Sequence, residues 1–191
     1  MSISTSAKKP TANSQPPTAK NKAVFLDRDG VLNEEMGDYV WTPDHFRVLP
    51  GVPASLARLK AAGYYLIVVT NQAGIAKGLY TRAHVRALHE LLQQAAGYQL
   101  DALYMSESHP SVSESILRKP DSGMLEKASA RFHLDPAQCW LVGDRARDLK
   151  AAARVGVQGI LVGHAEPVGG ELPRAADLAG ATDLILSAPG V

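Results

Sequence analysis

Cysteine is nearly absent from this sequence: Cys139 is the only one in 191 residues. A lone thiol cannot close an internal disulfide, and a zinc site of four thiolates is excluded. That fits a reducing compartment, and a cytoplasmic protein is the expectation. Cys139 lies in an apolar run before Trp140, so it reads as a packed core thiol rather than a nucleophile. Charge of one sign is not in excess either. The 20 Lys and Arg against 19 Asp and Glu leave a formal net charge of +1. With no basic groove evident, this argues against nucleic acid or an anionic membrane as partner. No apolar run reaches the ~18 residues of a membrane span. The N-terminus has lysines but no apolar core of a secretory signal, and it lacks the arginines and amphipathic pattern of an organelle transit peptide. No internal repeat and no exposed apolar stripe is evident, so a monomer is expected.

What is present is an ordinary globular composition, 46% hydrophobic and 20% charged, in a length that suits one domain with a sizeable core. Residues 1 to 21 are Ser, Thr, Pro, Lys, Asn and Gln with almost no large apolar side chain. Such a segment buries too little to offset its ordering entropy, so a disordered tail over residues 1–21 precedes a folded domain over residues 22–191. Ala23-Val24-Phe25-Leu26 is a short continuous apolar run, as in a parallel strand buried on both faces. Val52, Leu56 and Leu59 predict a helix that Gly63 ends. Tyr65 to Val69 predicts the clearest buried strand. Thr81 caps a helix from Arg82 to about Ala96. A weak strand at Leu103–Met105, a polar loop from Ser106 to Pro120 and a helix from about Gly123 to Phe132 follow. Then come a strand at Cys139–Val142, a helix around Asp148–Val155, a strand at Gly159–Val162 and an apolar stretch at Leu184-Ile185-Leu186. Strands alternating with helices of ~10–15 residues predict an α/β fold: a three-layer, Rossmann-like parallel sheet with helices on both faces.

In such sheets ligands bind beyond the carboxyl ends of the strands, and the reactive residues fall there. Asp27 and Asp29 follow the first strand, Thr70 and Asn71 the second, and Asp144 the fourth. Carboxylates gathered at strand ends repel one another unless a cation sits between them, and an all-oxygen set suits magnesium. Thr70 offers a hydroxyl to a phosphate, Lys119 a point charge and Arg118 a two-pronged guanidinium. Taken singly these residues have plainer readings. Asp27-Arg28-Asp29-Gly30 is a surface turn, Thr70 a turn residue, and Arg118-Lys119 a solvated pair. The second acidic turn, Gly143-Asp144, after another buried strand weighs against them. The histidines carry less. His84 and His89, five apart on a helix, do not share a face as metal ligands would.

The ordered set Asp27-x-Asp29-Gly30, Thr70, Lys119 and Gly143-Asp144-x-x-x-Asp148 resembles the four motifs of the haloacid dehalogenase superfamily, from roughly Lys22 to Leu186. Three longer segments resemble the heptose bisphosphate phosphatases within it, with histidinol-phosphate phosphatases sharing much of the pattern. They are Phe25-Leu26-Asp27-Arg28-Asp29-Gly30-Val31-Leu32-Asn33, Val69 to Gly78, and Arg118-Lys119-Pro120-x-x-Gly123-Met124-Leu125. The resemblance implies a magnesium-dependent phosphatase that releases the C7 phosphate of D-glycero-D-manno-heptose 1,7-bisphosphate, a step toward nucleotide-activated heptose for cell-envelope polysaccharide. It implies Asp27 as nucleophile forming an aspartyl-phosphate, and Asp29 as general acid, then base. The metal ligands would be Asp27, the Asp29 carbonyl and Asp144, and the phosphate binders Thr70 and Lys119. Arg118 would meet the second phosphate or sugar. Asn71 would orient the general acid or contact substrate, and Asp148 would orient Lys119 or support the metal shell. Carboxylate nucleophile and nearby acid suit this chemistry, which splits one displacement into two.

Two departures bear on the substrate. Many of these phosphatases carry a zinc held by three cysteines and a histidine in the loop before Arg-Lys-Pro. Here Ser106 to Leu117 has no cysteine and keeps only His109, so no zinc is expected. No large cap domain is inserted between the motifs, since Val31 to Pro50 is only a loop. The alternatives are therefore histidinol phosphate, another small phosphometabolite or a polynucleotide 3′-phosphate as substrate. A non-catalytic phospho-ligand binding protein is a further one, disfavoured because binding alone needs neither nucleophile nor proton donor.

Overall fold

The apolar runs pair side by side as parallel strands. A computed structural model describes residues 20–163 and 172–188. In it β1 (Ala23–Leu26) pairs with β2 (Tyr65–Asn71) and β4 (Trp140–Gly143). Beyond them lie β3 (Ala102–Ser106), β5 (Gln158–Val162) and β6 (Arg174–Ala175), giving the order β3-β2-β1-β4-β5-β6, all parallel. Every residue of β1 is fully buried, because both faces of the sheet are covered. Alternation within the strands divides the core in two. Val24, Leu26, Leu66 and Val68 pack on one face against α1 (Val52–Ala61), α2 (Arg82–Ala95) and α5 (Leu178–Ser187). Ala23, Phe25, Ile67 and Val69 pack on the other against α3 (Gly123–Phe132) and α4 (Ala146–Ala153). Each fully buried side chain of this size contributes about 1.5–3 kcal/mol.

The expected three-layer architecture is the observed one. Differences are local. Thr70 and Asn71 are the last residues of β2 rather than residues after it. The stretch Leu184-Ile185-Leu186 lies in α5, with Ile185 buried and Leu184 exposed, as one helical face requires. The two-residue strand β6 carries no apolar run, so no periodicity marks it. The expected N-terminal tail lies outside the described residues except for Lys20 and Asn21. Asn21 is tied to the end of α3: its backbone N–H donates to His133 O at 3.0 Å, its side chain to Phe132 O at 2.7 Å, and its carbonyl accepts from Asp135 N–H at 2.9 Å. Among the described residues no helix is long and apolar enough to cross a membrane.

The chain moves outward from β1 to β2 to β3, then returns to β4 on the other side of β1. The connections thus part between β1 and β4, which opens a crevice at their carboxyl ends. Asp27 and Asp144 sit one residue beyond those two ends.

Candidate active site

The floor of the crevice is a buried ionic cluster. Asp27 N–H continues the ladder by donating to Val142 O at 3.0 Å, which fixes the residue against β4. The Asp27 carboxylate accepts at Oδ1 from the Arg28 backbone N–H at 2.7 Å, and the same oxygen is 2.9 Å from Lys119 Nζ. Lys119 reaches in from the loop before α3. Its Nζ also lies 2.6 Å from Asp148 Oδ1 and donates to Val69 O at 2.7 Å. One hydrogen bond and two ion pairs thus surround the ammonium. Burial pushes the Asp27 carboxyl up to about 7 despite the pull of Lys119. Burial opposes the Lys119 charge too, but Asp27 and Asp148 outweigh it and hold the ammonium above its usual range. An unpaired charge at this depth would cost several kcal/mol, so the three residues stand together.

Asp29 belongs to a different environment. Its carboxylate is bound by Arg28 Nε and Nη2 at 3.1 and 2.9 Å, by Asn33 Nδ2 at 3.0 Å and by Gln72 Nε2 at 3.3 Å. Arg28 is itself buried and also donates to Val40 O at 2.9 Å. The turn that allows this depends on Gly30, at φ +83°. A Cβ there would stand 2.6 Å from Asp144 Oδ2, so the absence of a side chain also lets Asp144 approach.

Asp27, Asp144 and Asp148 each offer a carboxylate oxygen, all within 4.8 Å of one another, and form a group that could hold a metal ion. Asp144 Oδ1 is buried with no hydrogen-bond partner among the described residues, and burial, then Asp148, raises its carboxyl above the ordinary range. A buried orphan oxygen in a cluster of oxygen donors is what a hard divalent cation would satisfy. The residues therefore fit magnesium.

Above the floor opens a cavity of about 640 Å³, lined by Asp27, Asp29, Thr70 and Asn71 and ringed by Arg118, Arg145 and Arg147. Thr70 is buried at the end of β2. Arg118 donates to Ser108 O at 2.8 Å, which ties it to the loop 106–117. Arg145 is paired with Asp144 at 3.0 Å and Glu35 at 3.7 Å. Arg147 has no carboxylate partner among the described residues and stands close enough to Arg118 to lower that guanidinium further after burial. Two guanidiniums at one cavity give an anion a favourable place to bind, although Asp144 also interacts with Arg147.

All eight residues singled out from the sequence surround one crevice: Asp27, Asp29, Thr70, Asn71 and Arg118 line the cavity, and Lys119, Asp144 and Asp148 lie in the ionic cluster beneath it. Asn71 and Asp148 act on Lys119. The Asn71 side chain donates to Lys119 O at 3.0 Å and accepts from Lys119 N–H at 3.1 Å, fixing the loop backbone. The amide that reaches Asp29 is that of Gln72, which sequence reasoning passed over although it follows Thr70 and Asn71. Arg28, Asn33, Arg145 and Arg147 were also missed. Nothing in spacing separates a buried arginine from the solvated one expected in a turn.

Fold and cluster together define a hydrolase of the haloacid dehalogenase type, and a family model described as HAD-hydrolase-like matches residues 116–182. The D-glycero-beta-D-manno-heptose-1,7-bisphosphate 7-phosphatase of Haemophilus influenzae is 40% identical over 160 residues, 79% of this chain and 86% of that protein. The enzyme of the same name from Escherichia coli K12 is 40% identical over 166 residues, 81% of this chain and 86% of its own. The crystal structure of D,D-heptose 1,7-bisphosphate phosphatase from B. bronchiseptica, complexed with magnesium and phosphate, is 32% identical. It superposes with a TM-score of 0.78, covering 87% of this chain and 98% of that one. The chain belongs to the heptose-1,7-bisphosphate phosphatase family of these hydrolases, and it is a phosphatase.

Proposed function

We propose that this enzyme removes the C7 phosphate of D-glycero-D-manno-heptose 1,7-bisphosphate through an aspartyl-phosphate on Asp27. The observation that carries the reading is the Asp27 carboxylate itself, buried at the cavity floor with Oδ1 engaged by Lys119 and the Arg28 N–H. That leaves Oδ2 as the attacking oxygen. It bonds to phosphorus as the bond from phosphorus to the sugar oxygen breaks, and Asp29 gives its proton to that oxygen. Asp29 then takes a proton from water, which attacks phosphorus and releases inorganic phosphate with Asp27 restored. Thr70 binds the transferred group and Lys119 offsets its charge. Magnesium would be held by Asp27, the Asp29 carbonyl and Asp144, supplying further charge stabilisation of the phosphoryl oxygens. Asp148 orients Lys119. Arg118, with Arg147 beside it, binds the second phosphate.

The curated relatives act on heptose 1,7-bisphosphate by name, and the basic side chains Arg118, Arg145 and Arg147 lining the same cavity as Asp27 support a substrate with two phosphates. The site works without zinc in this reading. The one cysteine is a core thiol pushed up to about 11 by burial, and His109 bonds Ser111 in its own loop. A cytoplasmic monomer acting on a small molecule is the matching cellular picture, its product feeding nucleotide-activated heptose.

The test is phosphate release from heptose 1,7-bisphosphate, histidinol phosphate and a 3′-phosphorylated oligonucleotide, with magnesium or EDTA, by wild type and Asp27→Asn. Release from the first, lost in EDTA and in the variant, is expected. A preference for histidinol phosphate or the oligonucleotide would overturn the substrate, activity in Asp27→Asn the nucleophile, and stoichiometric zinc the metal assignment.

A further inference from the structure

Asp29 lies in the turn after β1 and Thr70 at the end of β2, and one side chain joins them. Gln72 is 1% exposed. Its amide nitrogen donates to Thr70 Oγ1 at 2.9 Å and to Asp29 Oδ2 at 3.3 Å. Its amide oxygen accepts from Tyr80 Oη–H at 2.8 Å. Those contacts settle the orientation of the amide. Turned over, it would set an oxygen against the Asp29 carboxylate and lose the pairing. Burial pushes the Tyr80 phenol up to about 12, so it remains an O–H donor through the neutral range. Tyr80 is only 4% exposed and is packed between Tyr39 and the stacked ring of Trp41. Its position also requires Gly74, where any Cβ would overlap the phenol ring.

The amide does two things at once. By donating to Thr70 Oγ1 it occupies a lone pair of the hydroxyl and turns the O–H elsewhere, toward the cavity that the residue lines. By donating to Asp29 Oδ2 it completes the shell begun by Arg28 and Asn33, whose bonds all converge on Oδ1 except one from Arg28. Without it Oδ2 keeps a single contact, the Arg28 Nη2 bond at 3.0 Å. We propose that Gln72 is a positioning residue that aims the proton donor and the phosphate-binding hydroxyl at the same phosphoryl group, and that Tyr80 locks its amide. The inference rests on the roles given above to Asp29 and Thr70.

Leaving-group dependence tests it. A sugar alkoxide needs a proton as it departs; the phenolate of p-nitrophenyl phosphate does not. Wild type, Asp29→Asn, Gln72→Met and Tyr80→Phe are assayed for kcat/KM on heptose 1,7-bisphosphate and p-nitrophenyl phosphate, with thermal midpoints alongside. Gln72→Met should lose roughly 10- to 100-fold more on the sugar phosphate than on the aryl phosphate. The smaller loss shared by both substrates reports Thr70. Tyr80→Phe should show the same imbalance at a smaller size. Equal losses on both substrates in Gln72→Met, with Asp29→Asn selective for the sugar phosphate, would overturn the positioning role alone. Equal losses in Asp29→Asn would overturn the proton-donor reading and the inference with it. Tyr80→Phe keeps the ring and the core, so its imbalance reads the lock even where Gln72→Met unfolds.

Discussion

The floor and the rim of this cavity are built by opposite rules. On the floor, Asp27, Lys119 and Asp148 are almost wholly buried, and Lys119 lies within 3 Å of both carboxylates. On the rim, Arg145 and Arg147 are exposed and Arg118 is half-buried. A buried charge must be matched on the spot, so the floor tolerates few arrangements. Exposed arginines are screened and mobile, so the rim can change at little cost in stability. In the proposed mechanism this difference places the chemistry on the floor and the selectivity at the rim.

That division can be broken most severely at the proposed nucleophile. Asp27→Asn keeps the shape and removes the attacking carboxylate, so kcat should fall roughly 10⁴-fold or more while the fold persists, read by phosphate release and circular dichroism. Chelation should approach the same loss without mutation, and magnesium should restore it. Lys119→Met leaves Asp27 and Asp148 facing each other without their cation. It should cost roughly 3–5 kcal/mol in denaturant unfolding, besides abolishing turnover. Floor chemistry should also be visible through pH. The Asp27 carboxyl, raised to about 7 by burial, holds a proton on the acid side of that value, and the metal must displace it. Apparent magnesium affinity should therefore fall about tenfold per pH unit below 7, with one proton released per ion, measured by calorimetry in buffers of different ionisation heat. The rim predicts the smallest effect. Arg147→Ala should raise KM for heptose 1,7-bisphosphate roughly tenfold and leave KM for p-nitrophenyl phosphate and the unfolding midpoint unchanged.

The same division sorts what the sequence disclosed. Asp27 and Asp144 were legible because continuous apolar runs end at them, and burial on both faces of a parallel sheet makes such runs conspicuous. Thr70 and Lys119 were legible through their order along the chain. The aim of a side chain was not. Asn71 and Gln72 are neighbouring amides, and only the pleat decides that one pairs with the Lys119 backbone and the other with Asp29. Arg28 looked like a solvated turn residue because its burial depends on tertiary contacts such as the bond to Val40 O, twelve residues on, that no sequence pattern shows. Arg145 and Arg147 open α4, where a sequence reading sees an ordinary polar helix start.

Two positions on the floor are defined by a methyl group they lack. A Cβ at Gly30 would press on Asp144, and one at Gly143 would overlap Asp148. Alanine at either would act as a shim, spreading the carboxylates apart while leaving every acid, base and donor in the sequence. A chain so altered would still match the pattern of acids and lysine and would be counted as catalytic by any inventory of functional groups. The room between those groups is inherited separately from the groups themselves, and here it is encoded by glycine.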